Sequence, residues 1–375
     1  MHEPDVSEAV KYDYDAFPPN GLDAQKLLDP LSSAVASITR YDVLLGQMRD
    51  SELLLAPLRR QEAVVSSRME GTITTLEEVL TLEADQDPEK DIDVGRHRPD
   101  AIETLSYARA LRLAQYRMKA GQKISESLIK SIHHELLRPG RGYNLDPGRY
   151  KIEQNYLADR AKRTILYVPI SPEQLAPHME RLVQYIESST DHPLIKAAIS
   201  HVEFEALHPF NDGNGRMGRM LITLYLWQSG LISAPHFYVS EYFEINRDEY
   251  IDRMRAVSSH NAWTEWVIFF LNALREQAIL KCGEIERIQL LYEEMQSRFR
   301  DALSSKDFLT AANFMFENVI FRSTQFAVQT GISKPTVNRF LKVLTEGEIL
   351  RIVRPASGRR PALYAFQPLL QALHG

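Results

Sequence analysis

The spacing of apolar residues along this chain predicts a protein built mainly of α-helices. Apolar positions recur at three- and four-residue intervals, which is the period of a helix with one buried face. Pro57 stands near the start of one such segment and Gly71 at its end. Proline is favoured in the first turn of a helix, and glycine is favoured just after the last turn. Another helix is predicted to open at Thr74 and Thr75, which precede acidic residues by the three positions of a capping box. The other predicted helices cover residues 32–48, 100–117, 124–137, 172–187, 193–207, 217–230, 247–257 and 261–297.

Segments rich in β-prone residues are confined to two places. Residues 148–156 and 164–169 lie on either side of a polar tip and predict a β-hairpin. Near the C-terminus, residues 349–353 and 363–366 flank a second tip at residues 357–361. The chain is therefore predicted to be mainly helical, with one small hairpin in its middle and another at its end.

Two short predicted helices precede the second hairpin. The first covers residues 323–331, and the second follows the cap Ser333 as far as about residue 344. A helix-turn-helix followed by a hairpin resembles a winged-helix domain. We therefore expect three regions: an N-terminal helical region (1–100), a central core (101–297) and a winged helix-turn-helix domain (298–375).

Composition narrows the class of protein without naming its function. The 375 residues are 44% hydrophobic and 25% charged, which is typical of a globular chain with two or three domains. Cys282 is the one cysteine, so no intrachain disulfide can form, and no cluster with zinc-ligand spacing is present. We find neither a signal-peptide pattern nor an apolar run of membrane length, and we expect a cytoplasmic protein without membrane contact.

Charge is unevenly distributed along the chain. The formal net charge is −6, yet residues 322–375 contain eight Lys and Arg residues against two Glu. The basic second helix and the tip of the second hairpin could contact DNA phosphates. Winged helices also bind proteins, so the sequence leaves DNA contact and protein contact through residues 322–366 equally open. The basic side chains in question are Lys334, Arg339, Lys342, Arg359 and Arg360.

The densest chemistry lies between His208 and Arg219. Within this stretch Gly213 and Gly215 stand at the N-terminus of a predicted helix, where unpaired N–H groups and the helix dipole favour an anion. Arg216 and Arg219, three residues apart, can add forked cationic donors on one side of that helix. His208 can accept a proton near neutral pH, and the nearby carboxylate of Asp212 suits Mg²⁺.

This stretch contains the complete HPFx(D/E)GNGRxxR motif and so resembles the Fic family, enzymes that transfer AMP from ATP to protein hydroxyls. The resemblance implies that His208 is the base, that Asp212 binds Mg²⁺ and that ATP is the substrate. It implies a helical Fic core in which the hairpin at residues 150–169 is a flap that docks the protein target. It also implies contacts to ATP from Gly213, Asn214, Gly215, Arg216, Met217, Gly218 and Arg219, with Tyr250 and Asn261 beside the adenine.

A second, shorter resemblance concerns the predicted helix at residues 57–70. Ser66, Glu70 and Gly71 match the family's inhibitory motif (S/T)xxxE(G/N), and Glu70 is then expected to pair with Arg219 and deprive the γ-phosphate of its partner. Taken alone, Ser66 and Glu70 would be an ordinary solvated pair on one helix face. The motif ahead of the catalytic stretch favours an autoinhibited enzyme.

Three functions remain open from the sequence. The favoured one is an autoinhibited protein adenylyltransferase that modifies Ser, Thr or Tyr hydroxyls of a target or of itself and releases diphosphate. The alternatives are removal of AMP, with Glu70 positioning a water, and a DNA-binding regulator whose Fic core only senses nucleotide. The sequence does not identify the target, the acceptor residue or the oligomeric state, a homodimer included.

Overall fold

The computed structural model describes residues 5–48, 51–86, 97–138, 145–159, 164–358 and 360–373. As predicted, these residues are mainly helical. The helices are α1 (Ala24–Gln47), α2 (Ser51–Met69), α3 (Leu76–Asp85), α4 (Pro99–Lys119), α5 (Glu126–Leu137), α6 (Pro172–Ser188), α7 (Pro193–Leu207), α8 (Asn214–Gln228), α9 (Ser240–Ile245), α10 (Arg247–His260), α11 (Trp263–Leu303), α12 (Phe308–Glu317), α13 (Ser323–Thr330), α14 (Lys334–Glu346) and α15 (Gln367–Ala372).

Two three-stranded sheets accompany these helices. In the first sheet the order is β1-β3-β2, with β1 parallel and β2 antiparallel to the central β3. In the second sheet the order is β4-β6-β5, and both outer strands are antiparallel to the central β6. The strands are β1 (Val10–Lys11), β2 (Leu157–Asp159), β3 (Thr164–Val168), β4 (Ile320–Arg322), β5 (Leu350–Arg354) and β6 (Leu363–Phe366).

Helix α7 lies at the centre of the protein. Its side chains are buried on nearly all faces, since it packs against α6, α8 and α11 together. The indole of Trp266 in α11 donates a hydrogen bond of 2.8 Å to the carbonyl oxygen of Ala198, which ties these two helices together. The residues that follow α7 therefore begin from a rigid position.

The ends of several helices agree with the predicted signals, and two beginnings do not. The capping box is formed by Thr75 and Glu78, and Gly71 follows α2 with a φ of +92°. However, α1 begins at Ala24, two turns before residue 32, because Asp23 caps it by accepting from the amide of Lys26. Helix α2 begins at Ser51, so Pro57 lies inside the helix and not in its first turn.

The first hairpin differs from the prediction in its first strand. The second predicted strand is present as β3, but its antiparallel partner is Leu157–Asp159 and not residues 148–156. Residues 148–151 bond elsewhere: the amide of Gly148 donates to His133 Nδ1, and the amide of Lys151 donates to the Pro209 carbonyl. The tip, residues 160–163, lies outside the described residues. Strand β1, which covers β3 on its other side, was not predicted.

The C-terminal region has the predicted pair of helices and both predicted strands, together with the short strand β4, which was not predicted. The cap Ser333 accepts from the amide of Thr336, and Gly331 ends α13 with a φ of +69°. Helix α11 runs without interruption to Leu303, so the boundary that we placed after residue 297 lies within it.

Arginines of this region bind acidic residues of α3. Asp85 has a side chain only 6% exposed, and its carboxylate accepts from three guanidinium groups. Arg351 pairs with Glu77 at 2.7 Å, and Arg339 donates to the Leu303 carbonyl at 3.0 Å. The arginines bound to Asp85 and Glu77 therefore dock the C-terminal region onto the N-terminal one, whereas the Arg339 contact lies within the C-terminal region. Arg359 lies outside the described residues. The three arginines bound by Asp85 are Arg322 at 2.9 Å, Arg354 at 2.6 Å and Arg360 at 3.2 Å.

We predict that Asp85→Asn lowers the free energy of unfolding by about 2 kcal/mol at pH 7. Burial alone would raise the pKa of Asp85, but hydrogen bonds from Arg354 and Arg322 lower it to about 2. Because this folded-state pKa lies below the unfolded value, the stabilisation is complete above about pH 4 and disappears as pH falls toward 2. Urea unfolding at pH 7 and pH 3 measures the difference.

The control for this substitution is Glu77→Gln, which removes a more exposed pair with Arg351. We expect it to cost less than about 1 kcal/mol, as exposed ion pairs do. An Asp85→Asn effect that is no larger than that of Glu77→Gln, or that is the same at both pH values, would contradict the proposed role of the three arginines.

Candidate active site

The loop between α7 and α8 is held by its own side chains. His208 follows α7 in the left-handed conformation, with a φ of +45°, and turns the chain out of the helix. Asn214 then closes the loop: its Oδ1 accepts from the Phe210 amide at 2.9 Å, and its Nδ2 donates to the Phe210 carbonyl at 2.8 Å. This use of the Asn214 amide is structural, and its contact with the α-phosphate stays a prediction.

His133 of α5 supports the same loop from below. Its ring stacks on Phe210 with centroids 3.7 Å apart. Since Nδ1 accepts from the Gly148 amide, Nε2 is the donor to the Asp212 carbonyl at 2.9 Å. Burial lowers the pKa of His133 to about 4, so the ring stays neutral and keeps this arrangement at pH 7.

The N-terminus of α8 forms the candidate anion site. The first hydrogen bond of the helix joins the Met217 amide to the Gly213 carbonyl at 3.0 Å. The amides of residues 214–216 come before that bond, at the positive end of the helix dipole. Gly213 has a φ of +79°, a backbone conformation that glycine adopts more readily than other residues. At Gly215 a side chain is excluded, because a Cβ there would collide with Glu70 Oε1. The carboxylate of Glu70 thus lies against Gly215, beside the N-terminus of α8.

Arg219 is held by the end of helix α2. Its Nε donates to Ser66 Oγ at 2.9 Å, and its Nη2 donates to the Ser66 carbonyl at 2.8 Å and to Glu70 Oε1 at 2.7 Å. The Ser66 carbonyl accepts this bond because the last turn of α2 tightens, with the Glu70 amide donating to Ser67 instead. Burial alone would raise the pKa of Glu70, but Arg219 outweighs it and lowers that pKa.

Arg216 is the second cation beside this helix end. It is 2% exposed, and its ion pairs with Glu103 and Asp212 are long, at 3.7 and 3.5 Å. Its Nε and Nη1 have no hydrogen-bond partner among the described residues. Buried donors without acceptors are costly. A bound anion at the α8 N-terminus would supply acceptors for them.

Asp212 has the properties of a magnesium ligand that depends on a bound phosphate. Its Oδ1 accepts from the Gly213 amide at 2.7 Å, and its side chain is 48% exposed. Within the described ranges no group of three or more His, Cys, Asp or Glu residues is arranged to hold a metal ion. Because Mg²⁺ commonly uses one or two carboxylates with phosphate oxygens and water, Asp212 fits such a site if a nucleotide completes it.

His208 can act as a base at neutral pH. Burial and the charge of Lys151 lower its pKa to about 4, and the carboxylates of Glu70 and Asp212 only partly offset this. The imidazole is therefore neutral at pH 7 and has a lone pair available for a proton.

The remaining predicted site residues are not all brought together. Met217 is buried and its amide is used by the helix, while a Cβ at Gly218 would collide with Glu205, so Gly218 lets α8 pack closely against α7. Tyr250 is buried and its hydroxyl bonds to His201 at 2.8 Å. Asn261 is exposed at the other end of α10, roughly 16 Å further along the helix axis. The two residues thus lie about three turns apart along α10, and their place beside an adenine stays a prediction.

Sequence reasoning missed three residues that shape the site: His133, Lys151 and Asn155. Each contacts the loop through carbonyl oxygens that are distant in sequence. Nothing in the local pattern distinguishes them, since a histidine on an apolar helix or a lysine in a polar segment is usually not functional. Their role depends on which backbone lies opposite.

Comparison with known protein families gives two matches. A model described as Fic/DOC family matches residues 123–226, and one described as Fic/DOC family N-terminal matches residues 28–116. The first match includes the loop and α8, and the second includes α2 with Ser66 and Glu70.

The curated relatives that match this chain are named as protein adenylyltransferases. The chain is 32% identical over 116 residues to a protein adenylyltransferase Fic of Nematostella vectensis, covering 30% of this chain and 25% of that protein. It is 26% identical over 210 residues to a probable protein adenylyltransferase of Aquifex aeolicus, covering 54% of this chain and 56% of that protein. The chain thus spans between a quarter and about half of the length of these relatives.

Solved structures show the same fold over most of the chain. A Fic family protein of Desulfovibrio desulfuricans superposes with a TM-score of 0.58 at 22% identity, covering 93% of this chain and 98% of that one. At this identity the likeness concerns the fold alone.

In the part of the chain that the structure describes, no helix combines the length and apolarity needed to cross a membrane.

We predict that Glu70→Gly raises the affinity for ATP about tenfold and leaves the affinity for ADP almost unchanged, because Glu70 competes with a γ-phosphate for Arg219. Tenfold, about 1.4 kcal/mol, lies at the low end for a charge-assisted contact, since the Glu70 side chain is 39% exposed. Isothermal titration with both nucleotides measures it. Arg68→Ala is the control, because Arg68 pairs with Glu244 at the same helix end without touching Arg219. Equal gains for ATP and ADP would contradict the competition.

Proposed function

Because the chain carries a Fic/DOC domain preceded by the N-terminal region of the same family, we propose that it is a protein adenylyltransferase held inactive by Glu70. The observation that carries this proposal is the occupation of Arg219 by Ser66 and Glu70 beside the N-terminus of α8. An anion site whose cation is already bound by a carboxylate of the same chain suits a nucleotide enzyme that is switched off.

In the proposed reaction a target hydroxyl oxygen attacks the α-phosphorus of ATP. A bond from that oxygen to phosphorus forms, the bond from the α-phosphorus to the bridging oxygen breaks, and diphosphate leaves. His208 takes the hydroxyl proton on its free ring nitrogen. The α8 amides and Arg216 bind phosphate oxygens, and Arg219 binds the γ-phosphate once Glu70 has left. Mg²⁺, held by Asp212 and the nucleotide, would neutralise charge on the phosphates.

The protein target is proposed to dock on the flap at residues 150–169. Strand β1 already pairs with β3 at Tyr167 and Val168, which leaves the outer edge of β2 as the place where an extended segment can add. Backbone pairing along that edge would align a Ser, Thr or Tyr hydroxyl irrespective of most neighbouring side chains. A segment of the protein itself could meet the same requirement.

Only some of the basic side chains of the C-terminal region are engaged within the chain. Arg322, Arg351, Arg354 and Arg360 are engaged with Asp85 and Glu77, so their charges are not free for phosphates. Lys334 and Lys342 of α14 are exposed, so contact with DNA through that helix stays an alternative. We propose that this region, resembling a winged helix, docks onto α3 of the N-terminal region and supports it. A cytoplasmic location remains a prediction from sequence.

We predict that Glu70→Gly raises AMP transfer, self-modification included, by at least tenfold. The freed Arg219 can then hold the γ-phosphate and align the α-phosphate for attack. Glu70→Asp should gain less, because a shorter carboxylate only weakens the contact. The gain should vanish in the Glu70→Gly, Arg219→Ala double variant. Transfer of label from [α-³²P]ATP measures all four proteins.

Two results would speak against this proposal. Equal label transfer by wild type and Glu70→Gly would show that Glu70 does not inhibit. Faster loss of AMP from a labelled target with wild type than with Glu70→Gly would favour removal of AMP as the activity of the wild type.

We also predict that His208→Ala, placed in the Glu70→Gly background, lowers AMP transfer at least a hundredfold, since general bases contribute about 10² to 10⁴ to a rate. ATP affinity should change less than twofold, because the base acts on the acceptor hydroxyl and not on the nucleotide. Label transfer and titration calorimetry together test this. Transfer near the level of Glu70→Gly would exclude His208 as the base.

A further inference from the structure

Four consecutive carbonyl oxygens at the end of α7 are bound by two side chains and one amide of the flap. These are the carbonyls of residues 207–210, which include the proposed base. Helix α7 ends at Leu207, and the left-handed turn at His208 takes the chain out of the helix, so these four carbonyls have no helical partners. The contacts are Lys151 Nζ to Leu207 O (3.1 Å), Asn155 Nδ2 to His208 O (3.1 Å), Lys151 N to Pro209 O (2.9 Å) and Asn155 Nδ2 to Phe210 O (3.0 Å).

The two side chains also bind each other. Lys151 Nζ donates to Asn155 Oδ1 at 2.7 Å, which leaves both Nδ2 protons of Asn155 directed at the catalytic segment. Lys151 is only 3% exposed, and burial lowers its pKa to about 7. A lysine is rarely buried in this way unless its donors are needed where it lies.

The same residues stand at the base of the docking edge. Asn155 precedes β2 by one residue, Tyr156, and Gln154 fastens this base to the other strand by donating to the Pro169 carbonyl at 3.0 Å. The backbone that receives the target and the backbone that carries His208 are thus joined through one asparagine. A shift of either would be transmitted to the other over a few bonds.

We propose that Lys151 and Asn155 are positioning residues that set His208 in register with the hydroxyl of a target docked on β2. The proposal rests on the transfer reaction proposed above for the choice of His208 as base. Neither residue bonds to the proposed phosphate-binding amides of residues 214–216, so ATP binding does not depend on them. Their loss affects the alignment of base and hydroxyl, to which rates are highly sensitive.

A first experiment does not need activity. Hydrogen–deuterium exchange of the full chain compares wild type with Asn155→Ala and Lys151→Met in peptides that cover residues 207–213. We expect at least tenfold faster exchange of the amides that follow Pro209, without a change in α8. Lys196→Met is the matched control, because Lys196 is also buried and donates to the Ser189 carbonyl after another helix, α6. Unchanged exchange at residues 207–213 in both flap variants overturns the proposal.

A second experiment measures AMP transfer in the Glu70→Gly background. We expect Asn155→Ala and Lys151→Met to lower kcat at least tenfold with the KM for ATP within twofold. Lys151→Arg, which keeps a cationic donor, should recover part of kcat, and Lys196→Met should leave kcat within twofold at a similar loss of Tm. A parallel loss of kcat in Lys196→Met, or a KM for ATP that rises as kcat falls, would show a general structural effect and overturn positioning.

The two experiments separate this proposal from the proposed function. If Glu70→Gly transfers no label, the adenylyltransferase proposal fails, while the exchange result still decides whether Lys151 and Asn155 hold the segment. If Glu70→Gly is active and the flap variants match it in both experiments, only the positioning proposal fails.

Discussion

The contact between Arg219 and the end of helix α2 is the interaction on which the arrangement of this protein depends. A guanidinium that is 3% exposed must be paired, because an unpaired buried charge costs several kcal/mol. Ser66 and Glu70 supply three acceptors, and the last turn of α2 tightens so that one of them is a backbone carbonyl. The partner of Arg219 can change only if another anion takes their place. The position of α2 is therefore coupled to whether another anion is bound to Arg219.

The rest of the site is rigid, which makes this one contact decisive. Asn214, His133 and the flap residues Lys151 and Asn155 bind the carbonyl oxygens of residues 207–210 and 212. Preorganised donors need no rearrangement at the moment of reaction. In the proposed enzyme, the energy of nucleotide binding is then used to displace Glu70 and not to fold the loop.

The C-terminal region shows why charge counts alone mislead. An excess of arginine is typical of a surface that binds an anionic partner. Here four of the arginines bind the carboxylates of Asp85 and Glu77 in the same chain. Composition records how many charges there are and not which of them are already paired.

Local chemistry was enough to predict most helices, the catalytic loop with its glycines and arginines, and the pairing of Glu70 with Arg219 through a known motif. Each of these depends on residues a few positions apart, or on a short motif that can be recognised in the sequence itself. The first strand of the flap, the arginines around Asp85 and the contacts of Lys151 and Asn155 with the catalytic loop were decided only by the tertiary structure. In every one of these cases the outcome depends on which distant backbone or charge lies opposite. Carbonyl oxygens and ion-pair partners are present in every sequence, and only packing selects among them.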